Sequence, residues 1–181
     1  MRTRRDNARA LRLTRRVQVG VDVRDMDSAI EYMEGVFGIG PWAVLDLSLE
    51  PPTVVGGETA IYGRIAMANL GPAQIELIEV TGGGGVHAEY AEETGSGIHH
   101  LGFFVRDLDS RIAEAGRQGI EVLQEGALKK SGLVIRYAYL DTAGTGGFLI
   151  EFLEARFLGI PFPMRPRLLR AFARRGPMRI E

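Results

Sequence analysis

The chain has no cysteine among its 181 residues. Disulfides and thiolate metal sites are therefore excluded, so a bound metal would need nitrogen and oxygen donors. No apolar run approaches the ~20 residues that a membrane-spanning helix needs. The opening MRTRRDNARALRLTRR lacks the apolar centre of a signal peptide. These absences lead to the expectation of a cytoplasmic protein without a membrane partner. The net charge of −1 conceals an uneven distribution. Residues 1–16 and 156–181 each carry seven Arg and one acid, whereas 17–155 carry eight basic and twenty-one acidic residues. An acidic body argues against nucleic acid as the partner. The basic ends are expected to be solvated tails or to dock on the acidic body.

What the chain does have is repetition. Residues 18–28, QVGVDVRDMDS, return at 100–110 as HLGFFVRDLDS, and 75–79, IELIE, return at 150–154 as IEFLE. Two anchors in the same order mark a duplicated unit. The chain divides into a basic N-terminal tail (1–16), a first module (17–80), a Gly-rich linker (81–97), a second module (98–155) and a basic C-terminal tail (156–181).

Each module reads as β-α-β-β-β, an α+β architecture. Val17 to Val23 is an apolar, β-branched run that suits a strand. A helix should follow, opened by a capping-box pattern at Ser28-x-x-Glu31 and stopped by Gly38 and Gly40, with Ala29, Ile30, Met33, Val36 and Phe37 as its apolar stripe. Tyr62–Asn69 and Ala73–Val80 read as strands joined by a Gly71-Pro72 turn. The second module repeats the order: strand 98–105, helix near 109–118, and strands 120–124, 134–140 and 148–154. Gly82 to Gly85 reads as a flexible join, and the segment from Pro41 to Thr59 as a flap or inter-chain arm.

Gln18 and His100 occupy the same place on equivalent first strands, and Glu76 and Glu151 on equivalent last strands. All four are polar residues inside apolar runs. Two buried carboxylates aimed at one spot repel, and a divalent cation between them removes that penalty. An amide oxygen, an imidazole nitrogen and two carboxylates form a coherent mixed ligand set. Glu79 and Glu154 also match, but at strand ends where solvation is easy, so they read as surface residues. Strand alternation puts His99 on the opposite face from His100. His87, after the glycine run, reads as solvent-facing or as a loop contact, with a place lining the cup as the alternative. Tyr62 and Arg64 share one face of a first-module strand. Tyr137 and Tyr139 are their nearest analogues in the second module; Tyr62, Arg64 and Tyr139 are candidate substrate-binding residues, and the equal alternative for Arg64 is a surface ion pair.

The motifs QVGVDVRDMD, GPAQIELIE, GSGIHHLGFFVRDLD and GGFLIEFLE resemble the vicinal oxygen chelate superfamily, which includes glyoxalase I, methylmalonyl-CoA epimerase, ring-cleaving dioxygenases and bleomycin-resistance proteins. The resemblance covers about 17–155 and is closest to the epimerase- and glyoxalase I-like branch. It implies that the paired modules form a curved eight-stranded cup. It also implies one divalent ion (Zn, Ni, Co or Mn) held by Gln18, Glu76, His100 and Glu151. The activity it implies is proton transfer next to a carbonyl, as an epimerase or a glyoxalase-type lyase or isomerase, with Glu76 and Glu151 as the catalytic carboxylates. The substrate would be a small molecule such as an acyl thioester or activated small acid, and the assembly a homodimer. The rival readings are a metal-free protein that sequesters a ligand or drug in the same cup and, further off, an extradiol-type dioxygenase, whose iron would need two His.

Overall fold

A computed structural model of the chain describes residues 11, 13, 17–46, 53–54, 57–58, 61–130, 132–162 and 178–179. Most of the two Arg-rich tails and much of the Pro41–Thr59 segment lie outside the described residues.

The first module contains β1 (Val17–Asp22), α1 (Met26–Phe37), β2 (Ala43–Asp46), a small hairpin of β3 (Thr53–Val54) and β4 (Gly57–Glu58), then β5 (Ile61–Leu70) and β6 (Ala73–Gly83). A helix, α2 (Val86–Glu93), leads to the second module: β7 (Gly97–Phe104), α3 (Leu108–Arg117), β8 (Val122–Lys130), β9 (Leu133–Leu140), the single turn α4 (Ala143–Gly146) and β10 (Leu149–Phe157). Two short strands follow, β11 (Ile160–Pro161) and β12 (Met178–Arg179).

Each module folds its strands in the same order. In the first, β1 runs parallel to β6, which pairs with β5 and then β2; in the second, β7 runs parallel to β10, followed by β9 and β8. The antiparallel pairing of β1 with β7 joins the two quartets into one eight-stranded sheet, extended at one edge by β12. The join places the start of each module at the centre of the sheet.

The repeated VRDMDS and VRDLDS lines have a local cause. Asp25 Oδ1 accepts the Ser28 backbone N–H at 2.9 Å, and Asp107 Oδ1 accepts that of Ser110 at 3.0 Å. Each Ser hydroxyl donates back to the same carboxylate. The helix cap is thus the first Asp of each line, and not Ser28, because the Asp reaches the third helical N–H with an oxygen to spare for the hydroxyl. The second Asp of each line binds an arginine of the sheet: Asp27 takes Arg64 and Asp109 takes Arg136. At the other end of α1, Gly38 has φ 65°, and its N–H donates to Glu34 O, closing the helix in a left-handed turn.

Helices α1 and α3 cover one face of the sheet. Ala29, Ile30 and Met33 of α1 pack on Ala66, Ala68, Ile75 and Leu77, beside Met26 and Trp42. Val36 and Phe37, expected in the same stripe, are exposed on the last turn. The equivalent core of the second module joins Leu108 and Ala115 to Ala138, Leu140 and Phe152, and Leu11 and Leu13 of the N-terminal segment pack against it. The opposite, concave face carries Gln18, Glu76, His100 and Glu151, beside a cluster in which Tyr137, Tyr139, Leu149 and Leu153 pack against Val86 of α2.

Candidate metal centre

Strand register determines which side chains share the concave face. Gln18 lies opposite Gly102, and Gly20 opposite His100, in the β1–β7 ladder. Glu76 lies beside Gly20, and Glu151 beside Gly102, in the two parallel ladders. Lateral neighbours in a sheet project to the same side. The four polar side chains therefore share one face with two glycines, and the glycines make the space. A Cβ at Gly20 would collide with the His100 ring. A Cβ at Gly102 would lie 2.9 Å from Glu151 Oε2 and 3.0 Å from Gln18 Oε1, so these two oxygens flank one small volume.

His100 Nε2 lies 3.3 Å from Glu151 Oε2 and 3.4 Å from Glu76 Oε2, within ion-pair range. All four residues are buried, the most accessible, Glu76, at 8%. Yet Gln18 Oε1, His100 Nε2 and Glu151 Oε2 complete no hydrogen bond. A buried polar atom without a partner costs about 1–3 kcal/mol, and three of them around one point need a physical reason. A divalent cation supplies one: it would satisfy an amide oxygen, an imidazole nitrogen and two carboxylates together. The residues present therefore fit the ion that the donor chemistry implies. Electrostatics agree. Burial opposes charge on His100, but Glu151 and Glu76 outweigh it and raise its pKa to about 10. Burial raises the pKa of Glu76. The cluster thus demands positive charge, and without an ion a proton on His100 provides it.

A second group adjoins the first. Donor atoms of His87, His99 and His100 lie within 4.8 Å of one another. His99 Nδ1 is 3.1 Å from His100 Nδ1, and burial, reinforced by His87 and His100, drives the His99 pKa down to about 2. A neutral His99 also hydrogen-bonds the Val86 backbone. With its proton committed there, it accepts from His100 Nδ1–H, which leaves the His100 Nε2 lone pair for an ion. His87 has no free nitrogen: Nδ1 lies 3.0 Å from Asp22 Oδ1, and Nε2 lies 2.8 Å from the Tyr139 hydroxyl. The three-histidine group is thus the poorer ion site, and its members instead orient one another.

Several expectations need correction. Arg64 does not reach the concave face. Its Nε donates to Glu79 at 2.8 Å, and its Nη1 pairs with Asp27 at 3.0 Å, on the helix side of the sheet. A register shift between Tyr62 and Gly63 separates Tyr62 from the alternation that Arg64 follows, and Tyr62 is exposed. Glu79 and Glu154 are not surface residues but are buried: Glu79 takes Arg64 and the Met26 N–H, and Glu154 takes Arg136 and Arg156. His99 faces inward beside His100 because the β1–β7 register shifts between Gly20 and Val21, leaving His99 as an extra residue in its strand. His87 is 4% exposed, on a helix that the linker reading missed. Gln124 Oε1 fixes the start of that helix by accepting the Val86 N–H, and the φ of 86° at Gly85 lets the chain turn there. Tyr139 does lie on the concave face, directly across the ladder from Glu151.

A duplicated sheet carrying a buried N/O donor cluster at its central seam defines a cup of two βαβββ modules. Residues 17–139 match the model of the Glyoxalase/Bleomycin resistance protein/Dioxygenase superfamily, and the chain belongs to that superfamily. Among solved structures, it is similar to methylmalonyl-CoA epimerase from Mycobacterium tuberculosis, with 25% identity, 81% of this chain and 87% of that chain covered, and a TM-score of 0.55. It is also similar to a variant of Streptomyces coelicolor methylmalonyl-CoA epimerase in complex with 2-nitronate-propionyl-CoA (22% identity, 78% and 96% covered, TM-score 0.57). A hypothetical protein from Bacillus halodurans shares 23% identity over 75% and 90% of the two chains, with a TM-score of 0.59. No curated protein matches the chain.

Proposed function

We propose that the protein is a divalent-metal-dependent enzyme that moves a proton on the carbon next to a carbonyl. The reaction would be an epimerisation or a glyoxalase-type isomerase or lyase step on a small acyl thioester or similarly activated acid. The observation that carries this reading is the convergence of three buried, unpartnered donor atoms, Gln18 Oε1, His100 Nε2 and Glu151 Oε2, with Glu76 beside them. Those four residues would hold Zn, Ni, Co or Mn. A bound divalent ion draws charge from a carbonyl and makes the adjacent C–H bond more acidic.

The rest of the work falls to the chain. Glu76 and Glu151 come from different modules and meet at His100. One carboxylate removes the proton and the other returns one; return to the opposite face of the same carbon is epimerisation, and return to the neighbouring carbon is a glyoxalase-type transfer. Met67 faces Glu76 across the β5–β6 ladder and gives that side of the cup an apolar wall. Acyl-thioester chemistry is supported by the structural neighbours, one of which is a methylmalonyl-CoA epimerase in complex with methylmalonyl-CoA and NH4+.

The test is isotope exchange. Protein loaded with each candidate metal is incubated in deuterium oxide with acyl-CoA thioesters, methylmalonyl-CoA first, and deuterium uptake at the α-carbon is followed by mass spectrometry. Metal-dependent uptake that disappears in Glu151→Ala is the expected result. A loaded protein that exchanges none of the panel yet binds a member tightly would favour the sequestering role.

A further inference from the structure

Asp22, His87 and Tyr139 form a continuous buried chain whose outer end, the Tyr139 hydroxyl, adjoins Glu151. Asp22 lies on the concave face of β1, His87 on α2, and Tyr139 on β9, and their relative exposures are 2%, 4% and 5%. Both carboxylate oxygens of Asp22 lie within 3.1 Å of His87 Nδ1, and His87 Nε2 lies 2.8 Å from the Tyr139 hydroxyl. The Tyr139 ring stands edge-on to His100 at 5.2 Å. Two modules and the connecting helix thus each contribute one member.

We propose that Tyr139 is a further catalytic residue, a proton-transfer group at the metal centre, and that Asp22 and His87 are the positioning residues that enable it. This rests on the proton-transfer reading above. An ionised Asp22 only accepts, so the His87 proton resides on Nδ1 and its Nε2 is an acceptor. Tyr139 O–H therefore donates to Nε2, with the Glu151 carboxylate as a competing acceptor beside the same hydroxyl, and the phenol oxygen borders the cup. When a substrate C–H or O–H proton arrives at the Tyr139 oxygen, the phenol's own proton passes to His87 Nε2. One bond to hydrogen breaks at the substrate and one forms at Tyr139; one breaks at Tyr139 and one forms at Nε2. The product is an imidazolium held against the Asp22 carboxylate, and the reverse sequence returns the proton. The logic is that of a carboxylate–imidazole–hydroxyl triad, with a phenol in the outer position.

The test has two arms on the full-length, metal-loaded protein. In nitrogen-15 NMR, His87 should carry its proton on Nδ1 in the wild type, and Asp22→Asn should abolish that preference. In the exchange assay, Tyr139→Phe, His87→Gln and Asp22→Asn should each lower kcat by about a hundredfold with KM little changed. The Tyr139→Phe/His87→Gln double variant should be no slower than the slower single one, as expected for residues acting as a unit. His87→Asn, which retains an amide donor near Nδ1 but cannot reach Tyr139, should be as slow as His87→Gln. A His87 proton on Nε2 would overturn the proposal, as would wild-type kcat in Tyr139→Phe or multiplicative losses in the double variant. If the wild type exchanges no substrate while His87 is Nδ1-protonated, the proposed reaction has failed and the bond order of the chain stands.

Discussion

Replacing Gly102 with alanine probes the proposed metal centre without removing any of its four donors. The added methyl would lie 2.9 Å from Glu151 Oε2, 3.0 Å from Gln18 Oε1 and 3.0 Å from Leu153 Cδ1, where ordinary contact begins at 3.4 Å. The shortfalls are 0.5 and 0.4 Å for the two oxygens, as the differences from 3.4 Å show. Donor distances at a metal site fall within roughly 0.2 Å of their usual values, so displacements of this size would weaken the hold of both donors on an ion. A tenfold or greater loss of metal affinity is expected, about 1.4 kcal/mol or more. Overpacking itself should cost about 1–3 kcal/mol, lowering the Tm of the ion-free protein by about 2–4 °C per kcal/mol for a chain of this size. Scanning calorimetry with and without metal separates the effects. At a metal concentration of about 100 times the wild-type Kd, the wild type should gain ~2.7 kcal/mol, and the variant about half as much or less. An unchanged metal Kd in Gly102→Ala would show that the ion, if bound, lies elsewhere.

Other perturbations test other parts of the account. Glu151→Ala should lower metal content, measured by mass spectrometry of the dialysed protein, while leaving the far-ultraviolet circular dichroism unchanged. Glu79→Gln should flatten the acid limb of the stability curve. Hydrogen bonding to Arg64 holds the Glu79 pKa below its ordinary 4.5, so the pair's contribution is present above that value and is lost as pH falls through the lowered one. Urea unfolding between neutral and acid pH should therefore show a steeper loss in the wild type, and equal slopes would contradict the assignment. Arg64→Met should reduce stability without raising KM, because its guanidinium is committed to Glu79 and Asp27; a large rise in KM would return it to the substrate. Gly35 and Gly116 are exposed helical glycines with nothing within 4 Å of an added Cβ. Alanine at either should stabilise by about 0.5–1 kcal/mol, read as a higher urea midpoint.

The sequence was legible where a repeat could be read against strand alternation. Matching Gln18 to His100 and Glu76 to Glu151 marked four side chains that the ladders bring to one face, because lateral neighbours stay in register. The same alternation misled wherever a bulge interrupted it. One register shift turns His99 inward beside His100, and another separates Tyr62 from Arg64. Glu79 and Glu154 looked solvated because a strand end looks open in one dimension; Arg64 and Arg136, from the neighbouring strands, pair with them there. His87 was hidden by composition. Four consecutive glycines read as slack chain, whereas Gly82 and Gly83 finish β6 and Gly85 turns the chain into α2. The repeated VRD lines did carry a signal for Arg64: the second Asp of each line has an arginine as its partner in both modules.

The central claim is that Gln18, Glu76, His100 and Glu151 share one cation. Anomalous diffraction from crystals of the metal-loaded protein tests it most directly. The account predicts a single strong peak within about 2.0–2.3 Å of His100 Nε2 and of oxygens from Gln18, Glu76 and Glu151. A peak among His87, His99 and His100, or a fully loaded protein with no peak at the β1–β7 seam, would contradict it.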